Sequence, residues 1–392
     1  MIAALVASVM VVPMTGPVAA TTTSHWWVAL AFANRELGAV VEGSGIEQAP
    51  NCELSVYTTS NGGVTWAPPA VLSHRAGCGA GGSTDEMAIT ADGSWFLATS
   101  QDLPHDLFEG RVRHPGFRVV PAARLAASEP ADMICSVAAA GKSVWVVLAN
   151  VCALWSTAVV LVSDNEGATW TRSHDRPLKS LDEANLVDAT PPESLVVADP
   201  ARAWLIGTAM LPRKSNMRAG ALEVARTTDA GRTWRTSTLP CKIDRIGGLL
   251  SAVGNDLAAV CLGDPSAGYG PMEVVTSSNG GATWAQRCNN GSLGLVRIVG
   301  ACPSFGYPGA IAAMANGALV MALGYPIGGV DVSRDGGRTW KFALRTEATF
   351  LTLSQGTGSV WMLGLGPVSP GLRLAESADG WRWHAVALPV TS

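Results

Sequence analysis

The chain of 392 residues has few of the features that mark several large protein classes. It contains only five lysines, and 31 acidic residues slightly outnumber 27 basic ones, so the charge gives no case for binding nucleic acid. No apolar run approaches the ~20 residues that a membrane-spanning helix needs. The six histidines show no metal-ligand spacing and no Cys-x-x-Cys occurs, so we expect neither a metal nor another cofactor.

An eight-residue motif recurs along the chain, with the pattern Ser/Thr, any, Asp/Asn, any, Gly, any, Thr, Trp. Its five full copies and one shortened copy are Thr59–Trp66, Ser163–Trp170, Thr227–Trp234, Ser277–Trp284, Ser333–Trp340 and Ser377–Trp383. We call these segments box motifs. Most gaps between them approach the ~40–50 residues of one propeller blade. The gap from Trp66 to Trp170 is twice as long, so it predicts one blade without a box motif and a total of seven.

The residues of the box motif suit a structural turn between two short strands. An Asp or Asn side chain can accept hydrogen bonds from the turn's own amides, and Gly can adopt a positive φ. The Trp can then bury its ring between neighbouring sheets. A calcium loop is disfavoured, because Asn replaces Asp in three copies. The predicted structural residues are Asn61, Trp66, Asn165, Trp170, Asp229, Trp234, Asn279, Trp284, Asp335, Trp340, Asp379 and Trp383.

The box motif resembles the Asp-box, or BNR, repeat of sialidases, sortilin-type receptors, some xyloglucanases and photosystem II assembly-factor propellers. The resemblance covers the chain from about Trp26 to Leu388. It implies an all-β, seven-bladed β-propeller of four-stranded antiparallel blades. In that family the motif joins the third and fourth strands of a blade, on the face away from the ligand. Function must therefore come from other residues.

We expect a single propeller over residues 21–392. The expected blades are at about 25–72, 85–122, 133–173, 194–239, 243–288, 309–344 and 348–388. Blade 2, which lacks a box motif, should turn at Ala91-Asp92-Gly93 and again at His114-Pro115-Gly116. The innermost strands are small and apolar, as strands that crowd a central channel must be.

The first 20 residues read as a signal peptide. The apolar run Ile2–Val12 is too short to span a bilayer, and Val18-Ala19-Ala20 forms a small-residue cleavage site. We therefore expect the protein to be secreted.

The eight cysteines form an even set, as expected for disulfides in an exported protein. Blade topology should bring all eight cysteines to one face of the propeller, opposite the box motifs. We call this face the cysteine face, and the face that carries the box motifs the box face. Pairing in sequence order closes short loops without crossing. The predicted disulfides are Cys52–Cys78, Cys135–Cys152, Cys241–Cys261 and Cys288–Cys302.

Charged residues near the starts of the innermost strands are the candidate ligand-binding residues. They are Asp85, Glu86, Asp132, Arg245, Arg297 and Arg345. We expect them at the mouth of the channel on the cysteine face, although charges at loop ends can also be simply solvated.

Three functions remain open on the sequence. The first is a secreted, monomeric binding module for a glycan, a cell-wall component or a protein. The second is an exo-acting glycoside hydrolase, sialidase-like or xyloglucanase-like, which would need two carboxyl groups about 5–10 Å apart. The third is a protein scaffold similar to the assembly factors. The sialidase Arg-Ile-Pro motif is absent, and no catalytic residue is assigned.

Overall fold

The computed structural model describes residues 24–45, 52–75, 86–98, 106–121, 125, 133–149, 159–173, 195–208, 222–243, 245–263, 270–290, 301–303, 306–324, 328–346, 348, 350–367 and 372–389. These residues form 28 β-strands. In the same ranges, no helix is long and apolar enough to cross a membrane.

The strands form seven four-stranded antiparallel blades, each built from consecutive strands, which confirms the predicted fold class. Blade 1 contains β1 (Ser24–Phe32), β2 (Gly38–Gly45), β3 (Cys52–Thr59) and β4 (Ala70–Arg75). Blade 2 contains β5 (Glu86–Ile89), β6 (Ser94–Ala98), β7 (Asp106–Arg111) and β8 (His114–Pro121). Blade 3 contains β9 (Met133–Ala140), β10 (Ser143–Ala149), β11 (Val159–Ser163) and β12 (Thr171–Arg172).

Blade 4 contains β13 (Leu195–Asp199), β14 (Arg202–Thr208), β15 (Leu222–Thr227) and β16 (Arg235–Thr238). Blade 5 contains β17 (Arg245–Val253), β18 (Asp256–Gly263), β19 (Met272–Ser277) and β20 (Ala285–Asn289). Blade 6 contains β21 (Pro308–Ala313), β22 (Leu319–Leu323), β23 (Gly329–Ser333) and β24 (Lys341–Arg345). Blade 7 contains β25 (Phe350–Gly356), β26 (Ser359–Pro367), β27 (Leu374–Ser377) and β28 (His384–Val386).

Each box motif forms the turn between the third and fourth strands of its blade. In the blade 6 copy, the Ser333 hydroxyl donates to Asp335 Oδ1 at 2.8 Å and accepts from the Gly337 amide at 2.8 Å. The Thr339 amide donates to the same carboxylate oxygen at 2.9 Å. Gly337 has a φ of +89°, a conformation that favours glycine. The other full copies repeat these bonds with closely similar lengths.

The tryptophans with the deepest burial lie on the second strands and not in the box motifs. Trp95, Trp145, Trp204 and Trp361 are at most 1% exposed and pack between neighbouring blades. The box tryptophans are half-buried and pack at the edges of the same clusters. The expectation that box tryptophans bury their rings is therefore only partly correct, because they lie at the ends of the box turns, just before the outer strands, and remain partly exposed.

Blade 2 differs from its neighbours at its outer turn. Its first turn lies at Ala91-Asp92-Gly93, as expected. Its β7–β8 turn lies at Val112-Arg113, so the prediction of a turn at His114-Pro115-Gly116 is wrong. Pro115 instead belongs to β8, the outermost strand, where a residue without an amide hydrogen is tolerated.

The ring closes where blade 1 meets blade 7, without exchange of a strand. Strand β1 pairs with β26 at Trp27 and Gly366, which joins the two blades in one sheet. The Phe32 and Trp361 rings stack with centroids 3.6 Å apart. Arg35 Nε lies 2.8 Å from Glu376 Oε1. We call these contacts the closing seam.

Two of the predicted disulfides are confirmed, Cys241–Cys261 and Cys288–Cys302. Cys135 is also disulfide-bonded, whereas its predicted partner Cys152 lies outside the described residues. The pairing of Cys52 with Cys78 stays a prediction, since Cys78 lies outside the described residues as well.

Candidate functional site

A central channel runs between the seven innermost strands and has a volume of about 540 Å³. Most of the residues along it are small or aliphatic, such as Val28, Leu30 and Ile311, but these side chains are largely buried between the blades, and the surface that faces the channel is more polar than apolar. Small or aliphatic side chains are required here because seven strands converge on one axis. The volume lies within the range of ligand-binding pockets, so the channel is the candidate site.

The two ends of the channel carry different polar groups. Glu86 is the first residue of β5 and lies at the cysteine-face end, where the innermost strands begin. Ser251 and Gln355 come near the ends of β17 and β25 and lie at the box-face end. Among the described residues that line the channel, Glu86 is the one with an ionisable side chain.

Glu86 bridges blades 2 and 3. Its Oε2 accepts a hydrogen bond from the Ser136 hydroxyl and another, of 3.0 Å, from the Val137 amide. Both donors belong to β9, and Ser136 is itself buried. Both of these bonds go to Oε2, so within the described part of the chain Oε1 is left to accept a further donor.

Burial is the main influence on the acidity of Glu86. It raises the pKa of this carboxyl to about 7, against the opposing effect of the bonds from Ser136 and Val137. Both protonation states are therefore populated near neutral pH. The neutral acid can donate a proton, and the carboxylate can accept a hydrogen bond from a cation.

A polar network connects three blades across the box-face end. The Ser251 hydroxyl donates to Gln355 Oε1 at 2.8 Å and accepts from the Ala313 amide at 2.8 Å. The Gln355 amide group donates to the Ala252 carbonyl at 3.1 Å. Blades 5, 6 and 7 thus meet at this network, which connects them at that end of the channel, whereas the Glu86 end is the mouth.

The six predicted site residues do not all gather at the mouth. Glu86 does. Arg245 begins β17, so its backbone lies at the cysteine-face end of an innermost strand. Arg345 is exposed at the end of β24, the outermost strand of blade 6, and so lies away from the channel mouth expected for it. Asp85, Asp132 and Arg297 lie outside the described residues.

Sequence reasoning missed Ser136, Ser251 and Gln355. Ser136 and Ser251 are polar residues within mainly apolar innermost strands, and that contrast was the available signal, whereas Gln355 lies on β25, which contains other polar residues. Their partners could not be inferred, because the contacts join different blades.

A hydrogen-bonded Tyr–Glu pair lies in blade 1, with the half-buried Tyr57 on β3 and the buried Glu42 on β2. The Tyr57 hydroxyl donates to Glu42 Oε2 at 3.1 Å, and His25 Nδ1 lies 3.0 Å from Glu42 Oε1. Burial first, and then the charge of Glu42, raise the pKa of Tyr57 to about 12. Tyr57 is therefore a neutral phenol and a poor nucleophile at neutral pH.

No cluster of three or more metal-ligating side chains occurs among the residues that the structure describes.

Comparison with known proteins shows the fold. No family model matches the chain, and no curated protein matches it. Among solved structures, the β-propeller domain of the Trilobed protease from Pyrococcus furiosus has a TM-score of 0.52 at 9% identity, covering 93% of this chain and 98% of that one. The GH74 xyloglucanase from Xanthomonas campestris has a TM-score of 0.51 at 17% identity over 94% of this chain, which spans 61% of the enzyme.

A structure described as YCF48 bound to D1 peptide has a TM-score of 0.44 at 16% identity, covering 77% of this chain and 80% of that one. At such identities the two likenesses with TM-scores above 0.5, to the Trilobed protease domain and to the xyloglucanase, show the propeller fold and leave the function open.

Proposed function

We propose that the protein is a secreted Asp-box propeller that acts as a binding module, and that its ligand enters the central channel from the cysteine face. The ligand is a glycan, a cell-wall component or a protein. The observation that supports this proposal is the mouth itself, where Glu86 is held between two blades beside the channel and, among the described residues, only its Oε2 is hydrogen-bonded. A rigid scaffold that presents an oriented polar group in a concave site is typical of binding sites.

The disulfides support the proposed export. Cys241–Cys261 and Cys288–Cys302 are compatible with an oxidising compartment, where the predicted signal peptide, residues 1–20, would direct the chain. Mass spectrometry of the exported protein should find an N-terminus near Thr21 and no free thiol. Retention of residues 1–20 would contradict this part of the proposal.

A matched pair of variants tests the binding site. Thr352 lines the channel on β25, whereas Arg345 is exposed on an outermost strand. Glycan and peptide arrays should first identify a ligand. Thr352→Trp should then lower affinity at least tenfold, because the ring obstructs the channel, and Arg345→Trp should leave it unchanged. Equal affinity of both variants and the wild type would place the site elsewhere.

The glycoside hydrolase is the second candidate, since a carboxyl with a pKa near 7 is suited to general acid catalysis. Hydrolysis would require a second carboxyl group, which the described channel wall does not supply. Incubation with xyloglucan oligosaccharides and sialosides decides between the two. Turnover by the wild type that is lost in Glu86→Gln would replace the binding proposal with the enzyme.

A further inference from the structure

The innermost strands turn their backbone edges to the channel. Leu195, Val196 and Val197 of β13 are consecutive residues along its wall. Their side chains alternate between the two neighbouring blades, since Leu195 and Val197 pack towards blade 3 and Val196 packs towards blade 5. The edge of the strand, with its amide and carbonyl groups, is therefore what faces the channel. Such edges explain why a wall built from apolar residues has a surface that is more polar than apolar.

Four backbone groups on these edges form a hydrogen bond with a polar side chain of another innermost strand. They are the amides of Phe32, Val137 and Ala313, which donate to Ser354, Glu86 and Ser251, and the Ala252 carbonyl, which accepts from Gln355. Six of the seven innermost strands, namely β1, β5, β9, β17, β21 and β25, take part in these bonds. The polar side chains of the channel thus serve mainly to satisfy the strand edges around it.

Strand β13 differs from the other six. Within the described part of the chain, it pairs with β14 alone and takes part in no hydrogen bond to another innermost strand. Asp199, its one polar residue, accepts from the Ala201 and Arg202 amides of the following turn. The channel-facing amide and carbonyl groups of residues 195–197 therefore have no protein partner among the described residues.

We infer that the channel binds an extended polypeptide segment, which pairs with the free edge of β13. The inference rests on the proposed function, because it names the class of ligand for the same channel. An extended polypeptide matches this edge, because its own amide and carbonyl groups alternate with the same period of two residues. Addition of a strand to a free edge is an established way for proteins to bind peptides. A glycan has no backbone amides with this spacing.

Hydrogen–deuterium exchange of residues 195–198 in the exported protein tests the inference, because amides without a partner exchange quickly and paired amides exchange slowly. The probe is an end-blocked hexapeptide of alternating threonine and alanine at millimolar concentration. We expect it to slow the exchange of the channel-facing amides of β13 at least tenfold. The other innermost strands serve as internal references, and their exchange should change less.

Two N-methylated copies of the hexapeptide and two variants of the protein provide matched controls. N-methylation of alternate residues leaves one hydrogen-bonding edge of the peptide intact, so this copy should still slow the exchange. N-methylation of all six residues leaves neither edge, so this copy should have no effect. Thr352→Trp, which obstructs the channel, should abolish the effect of the unmodified peptide, and the exposed Arg345→Trp should preserve it.

The outcomes separate the inference from the proposed function. Equal effects of all three peptides, or no effect of any of them on residues 195–198, would overturn the inference. Slower exchange with chitohexaose and not with the peptides would also overturn it, and would identify a glycan as the ligand of the channel. If the inference failed while Thr352→Trp still lowered the affinity for the array ligand, the proposed function would stand alone. Unchanged affinity of Thr352→Trp for the array ligand would overturn the proposed function as well.

Discussion

The two faces of the propeller are built in opposite ways. On the box face, the same hydrogen bonds recur from blade to blade, as in the Thr59, Thr227 and Ser333 turns. On the cysteine face the blades differ, since Glu86 occurs in blade 2 and the two described disulfides occur near blades 5 and 6. The comparison teaches that the repeated features maintain the fold, while the features that differ from blade to blade are those available for function. We expect substitutions on the box face and between blades to change stability, and substitutions at the channel mouth to change binding.

The largest loss of stability is expected when a tryptophan that is buried between two blades is removed. Trp204 is 1% exposed, and its Nε1 donates to the Gly280 carbonyl in the next blade's box motif at 3.0 Å. Trp204→Ala should reduce the free energy of unfolding by about 3–5 kcal/mol. Denaturant unfolding measures it, with the half-buried Trp340→Ala as the comparison. A larger loss in Trp340→Ala would reverse the proposed ranking of the two sets of tryptophans.

The disulfides test whether the cysteine face also contributes to stability. Cys288 and Cys302 are 14 residues apart, and both are buried between blades 5 and 6. Replacement of both by Ala should lower the free energy of unfolding by about 2–4 kcal/mol, because the unfolded chain gains conformational entropy. Urea unfolding with and without reductant measures the effect. If the reduced wild type were as stable as the oxidised one, the contribution would be absent.

The contribution of the Asp335 carboxylate to the box turn can be tested, because other copies of the motif have Asn at the same position. Burial tends to raise the pKa of Asp335, but hydrogen bonds from Thr339, Ser333 and the Arg338 amide outweigh it and lower the pKa to about 2. Since the folded pKa is below the unfolded one, this stabilisation is present above pH 4 and disappears as the pH falls towards 2. Asp335→Ala should cost about 1–2 kcal/mol at pH 7.

Asp335→Asn is the matched control, because the blade 1 copy makes the equivalent bonds with Asn61. This variant should keep most of the stability and lose the part of the dependence on pH between 4 and 2 that Asp335 contributes, while the parts from Asp229 and Asp379 remain. A loss as large as that in Asp335→Ala would show that the negative charge, and not the turn geometry, is essential.

The prediction for the channel mouth is a change in the pH dependence of stability, opposite in sign to that of Asp335. The folded pKa of Glu86 is raised to about 7, so its contribution makes the wild type less stable as the pH rises from about 4.5 to 7. Glu86→Gln should remove that part of the slope and leave the protein folded. Asp331, whose pKa burial raises to about 6, has the same sign, so Asp331→Asn is needed to separate the two. An unchanged slope in Glu86→Gln would show that Glu86 is solvated in the folded state.

The fold was predictable because it depends on local signals that recur. Each box motif predicts a turn between two strands. The doubled gap after Trp66 predicts the position of the blade that lacks a box motif. The site was harder to predict. Glu86 was found because a charge at the start of an innermost strand is unusual, but its bonds to Ser136 and Val137 depend on the register between two blades. Arg345 was misplaced because the end of an outermost strand and the start of the next innermost one are adjacent in sequence and far apart radially.

The closing seam has a consequence for the order in which the molecule folds. Every blade consists of neighbouring hairpins, so its own contacts can form soon after its residues are synthesised. The seam instead joins Phe32 to Ser354 and Arg35 to Glu376, 322 and 341 residues apart. Contacts between residues so far apart in sequence have a large cost in loop-closure entropy, and they cannot form before blade 7 is present. Until then, Trp27 and Phe32 on blade 1 lack the blade 7 surface that covers them in the finished ring. We therefore expect completion of the ring to be a late step of folding, and blade 1 to expose apolar surface until it occurs.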